Sequence, residues 1–293
     1  MLDLPVVDAH HHLYRLADGY PWLSGPPQPR YHGDDTRLRR DYLMEDYRAD
    51  CAGIPVIASV VVENGAARPL QEAQWIDGVL SGCPSVQVAK ADLLDGGVPA
   101  VLERYAQLPT LRGVRDILNW NPDPYYTHRD RDAIMDEPVW RDNFARLEPL
   151  GMSFDLQVFP EQLPGAARLA DAFPSTRIIL DHLGMPTDRD AQYLRRWGEA
   201  LRELARRENV FVKLSALGTT DHHWTKSSIR GPILTAIDAF GVERAMFASN
   251  FPVDSLYSDM PTLYSAFDAT VADFTREERC RLFAGTAIEV YRM

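Results

Sequence analysis

Short β-branched runs alternate with amphipathic helical stretches about eight times along the 293 residues, and ionisable residues gather where those runs end. The pattern predicts a single (β/α)8 TIM barrel over residues 1–293, with long loops after strands one, four and seven. A doubly wound open sheet is the structural alternative. That architecture places a Gly-x-Gly-x-x-Gly turn after its first strand, and the stretch Val7-Asp8-Ala9-His10-His11-His12-Leu13 contains none.

The first strand begins at Val6 and Val7 and ends in the imidazole-rich tip. Side chains alternate across a strand, so Asp8, His10 and His12 are expected on one face and His11 on the other. Asp8 then reads as a buried partner that fixes an imidazole tautomer. Residues 14–40 form a loop rich in Pro, Gly, Tyr and Arg, with Trp22 placed to cover a pocket. Asp41 is read as the cap of a helix over 42–51 that stops at Gly53. Strands then follow at 54–62, 86–91 and 111–117, with helices at 70–80 and 98–107 between them. A polar loop, 118–136, leads to a helix at 139–150. Strands at 154–159, 177–182, 210–215 and 244–250 alternate with helices at 163–173, 191–207 and 232–240. Two closing helices fall near 262–274 and 277–291. No internal repeat or low-complexity tract interrupts this order.

The 42 acidic against 31 basic residues give a formal charge of −11, which disfavours nucleic acid and anionic membrane surfaces as partners. Three separated cysteines, Cys51, Cys83 and Cys280, suggest neither a disulfide framework nor a cysteine zinc site. No stretch approaches the ~18 apolar residues of a membrane span. The expectation is a cytoplasmic protein acting on a small molecule, with homo-oligomers left open.

Strand C-termini converge at one mouth of such a barrel. This chain would bring there His10 and His12, Glu63, Asp92, Arg115 and Asp116, Gln157, Asp181 and His182, Lys213 and Ser215, then Asn250 and Asp254. A shared polar mouth of this kind suits an enzyme. Histidines two apart on a strand can offer nitrogens to one metal ion or to one substrate oxygen. Trp22, Trp120, Tyr125 and Tyr126 in the loops above could stack on a sugar ring or flat lactone. The loop pair His222-His223 reads as solvated or binding.

Five blocks carry a family resemblance: Val7 to Leu13, Gly113-Val114-Arg115, Ile179-Leu180-Asp181-His182-Leu183-Gly184, Val212-Lys213-Leu214-Ser215, and Phe247-Ala248-Ser249-Asn250-Phe251-Pro252-Val253-Asp254. Their order resembles the amidohydrolase-related (amidohydrolase 2) hydrolases, in the branch of sugar-acid lactonases and 2-pyrone-4,6-dicarboxylate lactonase. The resemblance implies a hydrolase that opens a cyclic ester, with His10, His12 and His182 around the substrate or a divalent metal. Zinc serves some members of that branch, and others work without a metal. Arg115 would face the carbonyl or a substrate carboxylate. Among the mouth and loop residues, Trp22, Trp120, Gln157, Lys213 and Ser215 are the candidate substrate contacts, with Gln157 equally able to close a structural hydrogen bond and Arg115 and Lys213 to pair with a neighbouring carboxylate.

One position departs from the family. Its usual Ser-Asp-Trp-Pro is here Ser249-Asn250-Phe251-Pro252, and an amide has no useful basicity near neutral pH. Asn250 is expected to orient water, while the general-base role passes to Asp254, with Asp181 and Asp116 weaker replacements because each could point away from the mouth. Two rival functions remain at this stage: a metal-assisted decarboxylase on the same barrel, which Asn250 argues against, and a non-catalytic binding protein with a degenerate site.

Overall fold

A computed structural model describes residues 2–28 and 30–293. Eight parallel strands lie in sequence order: β1 (Val6–His11), β2 (Val56–Val62), β3 (Val86–Lys90), β4 (Leu111–Ile117), β5 (Ser153–Gln157), β6 (Ile178–Leu180), β7 (Val210–Leu214) and β8 (Ala245–Phe247). The ring closes just beyond β8, where His12 N–H donates to the Phe251 carbonyl (2.8 Å) and Asn250 N–H to the His10 carbonyl (2.8 Å). The architecture is the expected barrel, with closure made by strand extensions rather than a regular ladder.

Inward-facing positions carry small or β-branched side chains, among them Val7, Ala9, Val60, Val62, Val86, Val88 and Ile179. Such residues fill the narrow bore in layers. The outer faces pack against the helices through Val61, Val114, Phe154 and Leu180 with Trp140, Phe144 and Trp197. A C-terminal helix, Thr286–Tyr291, covers the strands' N-terminal end, where Arg112, Arg177 and Thr286 bond to carbonyls of Arg292, Val290 and Val242. That end is therefore plugged, and access is from the other.

Several boundaries differ from the sequence expectation for local reasons. The helix expected over 42–51 runs Met44–Asp50, and Asp46 rather than Asp41 accepts the Leu43 N–H (2.9 Å). Asp41 instead accepts the Leu16 N–H (2.8 Å) and pins the first loop. The helix expected from Pro232 starts at Lys226, because the Thr225 hydroxyl already caps Ser228 N–H. β6 ends early, and residues 181–184 form a tight turn with His182 and Leu183 at φ 57° and 56°. The last expected helix is interrupted by a wide turn at Arg281–Gly285.

Candidate active site

The first strand does not alternate strictly. Asp8 pairs with Ser59 and His11 with Val61, three steps on β1 against two on β2, so the pleat slips between them. Asp8 consequently turns away from His10 and His12. It accepts bonds from Tyr47 (3.0 Å) and from the Ser249 hydroxyl and N–H (2.6 and 2.7 Å), tying strand one to strand eight. This corrects its expected place beside an imidazole. His11 stacks on Tyr47 with ring centroids 3.6 Å apart, whereas His10 turns inward just beneath the cavity wall, its ring 4.9 Å from His12 and 4.6 Å from His182.

The imidazoles that meet at the mouth are uncharged near neutral pH. His12 Nδ1 lies 2.9 and 3.0 Å from the Val62 and Glu63 carbonyls, so it carries the hydrogen and Nε2 keeps its lone pair. Burial, then the charge of Arg115, brings its pKa down to about 4. Burial likewise lowers His182 to about 3, and its Nδ1 is held by the Ser215 hydroxyl at 2.8 Å. The non-glycine left-handed backbone at His182 and at Asn250 (φ 57°) costs energy that packing must offset, and both residues lie on the cavity wall.

Two buried ion networks hold this arrangement. Glu63 Oε1 accepts from Arg115 Nε (2.7 Å), while Arg115 also reaches the Glu63 carbonyl (2.7 Å) and Gln157 Oε1 (3.3 Å). Although burial favours the neutral acid, Arg115 holds the Glu63 carboxyl below its usual range. Beneath the cavity, fully buried Lys213 donates to Asp155 and lies 3.1 Å from both Asp181 Oδ1 and His10 Nδ1. Tyr291, from the C-terminal plug, donates to Asp155 (2.9 Å). Burial alone would raise Asp181, but the Lys213 ammonium beside it outweighs burial and holds the carboxyl well below the ordinary value.

A cavity of about 460 Å³ opens over these groups. Its wall includes His12, His182, Arg115, Gln157, Asn250 and Trp22, together with Lys90, which the sequence reading passed over. A strap from the first loop crosses it. The carbonyls of Arg30, Tyr31 and His32 accept bonds from Tyr125, His222 and Tyr257 respectively, so loops four, seven and eight each grip one residue of the strap. Trp22 is fixed by its Nε1 bond to the Asn64 carbonyl (2.8 Å).

Several expected contacts are displaced. Lys213 and Ser215 lie under the floor, engaged with carboxylates and with His182, and are not on the cavity wall. Trp120 is also off the wall, its backbone N–H bonded to Gln162. Asp92 and Asp116 pair with Arg129 outside the cavity. Asp254 sits behind the wall against Thr219 (3.3 Å), and burial pushes its pKa up to about 8. A carboxyl still protonated at neutral pH is not a general base there, which corrects the role expected of it. His222 stacks on Tyr257 (4.5 Å) and serves the strap.

The donor set allows a divalent metal, though with a different membership from the expected His10, His12 and His182. His10, Asp181 and His182 each offer an atom, all within 4.8 Å of one another. Neither Asp181 oxygen receives a well-aligned hydrogen bond among the described residues, which leaves lone pairs for an ion. His12 falls outside the trio. In such a set Asp181 would be the anionic ligand that Asn250 cannot be.

Comparison with known proteins accords with this geometry. The chain is 37% identical to an uncharacterised protein, y4mH, of Sinorhizobium fredii, across the full length of both. It is 30% identical to an L-fucono-1,5-lactonase of Burkholderia multivorans, over 98% of this chain and 96% of that one. A crystal structure of an amidohydrolase from Burkholderia multivorans with zinc bound superposes with a TM-score of 0.82 at 28% identity, covering 98% of this chain and 99% of the other. The amidohydrolase profile matches residues 7–293, strand one through the C-terminal plug, and the chain is thus a hydrolase belonging to the amidohydrolase family.

Proposed function

We propose that the mouth opens a lactone by attack of water on its ester carbonyl. The observation that carries this reading is the meeting, in one cavity, of a guanidinium held in place by Glu63 with an uncharged imidazole whose Nδ1 carries the hydrogen, leaving Nε2, beside the Asn250 side chain, with its lone pair. Arg115 polarises the carbonyl oxygen and then stabilises the oxyanion. His12 Nε2 takes the proton of the attacking water, which the Asn250 amide orients. Burial and then Arg115 hold His12 weakly basic in the resting site; negative charge developing on the oxygen offsets the Arg115 part and favours the protonated imidazole. Collapse of the tetrahedral intermediate breaks the ring C–O bond, and the same proton passes to the departing alkoxide, giving a hydroxy acid.

A divalent ion held by His10, Asp181 and His182, zinc by analogy with the Burkholderia protein, would add Lewis-acid polarisation of the same carbonyl. The lactonase-named relatives support this reading. Its test is acid release from a panel of sugar-acid and dicarboxylate lactones, with and without added zinc. Ring opening that falls by about 10²-fold or more in His12→Gln is the expected result. Indifference to the whole panel overturns it.

A further inference from the structure

The geometry points to Lys90 as a binding site for a carboxylate carried by the substrate, separate from the ester that reacts. This rests on the lactone reading above and narrows it to lactones bearing a second acid group.

Lys90 is the last residue of β3, in phase with Val86 and Val88, whose side chains fill the bore. The same period brings Lys90 onto the cavity wall. Its partner across the ladder is Arg115, so two cations stand directly opposite each other on neighbouring strands. Like charges so placed repel, and a fold keeps them when an anion is shared or each has its own. Arg115 has Glu63. Among the described residues, no carboxylate oxygen lies within the 4 Å of an ion pair from Lys90 Nζ.

The two carboxyls that feel the Lys90 charge, Glu63 and Asp92, are already bonded at both oxygens. Glu63 gives Oε1 to Arg115 and Oε2 to Gly65 N–H (2.6 Å). Asp92 gives Oδ1 to Leu94 N–H (3.1 Å) and Oδ2 to Arg129 (3.2 Å). The cavity wall itself includes no Asp or Glu, while Arg30, Lys90 and Arg115 all contribute to it. A neutral sugar lactone would leave the Lys90 ammonium, half-buried on the cavity wall, with no carboxylate at ion-pair distance. Adjacent strands are about 4.8 Å apart. A small ring can therefore present its ester carbonyl to Arg115 and an exocyclic carboxylate to Lys90 at once.

The test compares a δ-lactone bearing a ring carboxylate with the same ring bearing a carboxamide, and adds tetrahydropyran-2-carboxylate, which has no ester to open, as a calorimetric probe. Wild-type protein is expected to favour the carboxylate lactone by about 10- to 100-fold in kcat/KM, the range of one charge-assisted hydrogen bond. In Lys90→Met that preference collapses toward unity through KM rather than kcat, and affinity for the probe falls by a similar factor; Lys90→Arg restores much of both. Lactones opened with no carboxylate preference, or a preference that survives in Lys90→Met, overturn the site and leave the lactonase reading intact. Probe binding that depends on Lys90 while no lactone is opened sustains the site and sinks the lactonase reading. Absence of probe binding to the wild-type protein overturns the site.

Discussion

Asp181 and Asp254 are the same residue type, both removed from solvent at 0% and 2% exposure, and both beside the mouth. They are opposite in charge state. Asp181 has the Lys213 ammonium at 3.1 Å and the Arg115 guanidinium at 3.8 Å, and stays ionised. Asp254 has only the Thr219 hydroxyl and a backbone N–H, and its pKa climbs to about 8. Burial disfavours both carboxylates, so it does not separate them; a cation within reach does. The buried carboxylate that stays an anion beside the mouth is therefore the one at the end of β6, not the one in the loop after β8.

The strongest way to break this contrast is to remove the cation. Lys213→Met leaves Asp155 and Asp181 buried without their counter-charge, and truncating one partner of a buried pair typically costs about 3–5 kcal/mol. Denaturant unfolding should show a loss of that size, together with weakened binding of His10 to its present neighbours. A loss below about 1 kcal/mol would show that the ammonium contributes little to holding the two buried carboxylates.

A middle-sized effect lies in the pH dependence of stability. Glu72 is pushed up to about 8, first by burial and then by the charge of Glu63, and Asp254 is raised to about the same value. An acid whose pKa is higher folded than unfolded contributes stability that is fully present below its unfolded value and is lost as pH rises through the folded one. Buried imidazoles such as His12 and His182, lowered to about 4 and about 3, oppose this trend up to the ordinary histidine range. The melting temperature should then fall between about pH 7 and pH 9, by more than about 4 °C. Glu72→Gln should make the slope shallower. A flat or rising profile would show that Glu72 and Asp254 are not held neutral.

The barrel was legible because alternating β-branched and amphipathic runs repeat regardless of tertiary detail, and the strand tips named most of the mouth. What the pattern could not supply was register. The slip in β1 depends on pairing with β2, so Asp8 was placed on the wrong face while His10 and His12 were placed on the right one. Asp181 is legible as a residue of the mouth but not in its orientation, because β6 ends in a left-handed turn that no run of residues announces. Lys90 was readable, since Val86, Val88 and Lys90 share a period of two, but an isolated lysine closing an apolar strand looks like a solvated terminus. Lys213 read as a substrate contact because its three carboxylate and imidazole neighbours come from three other strands.

The smallest expected effect is the most discriminating. Replacing the neutral Asp254 carboxyl by the similarly shaped amide in Asp254→Asn should change stability by no more than about 1 kcal/mol, because no buried charge is lost and the Thr219 bond is retained. The acid limb of kcat/KM should stay where it is in the wild-type protein. If His12 Nε2 takes the proton, the rate is lost only as pH falls toward about 4 and the imidazole becomes protonated. Were Asp254 the base, the rate would instead fall below about pH 8, where that carboxyl holds its proton, and the amide variant would be inactive throughout. The position of one acid limb, with and without the substitution, thus decides which side of the mouth performs the proton transfer.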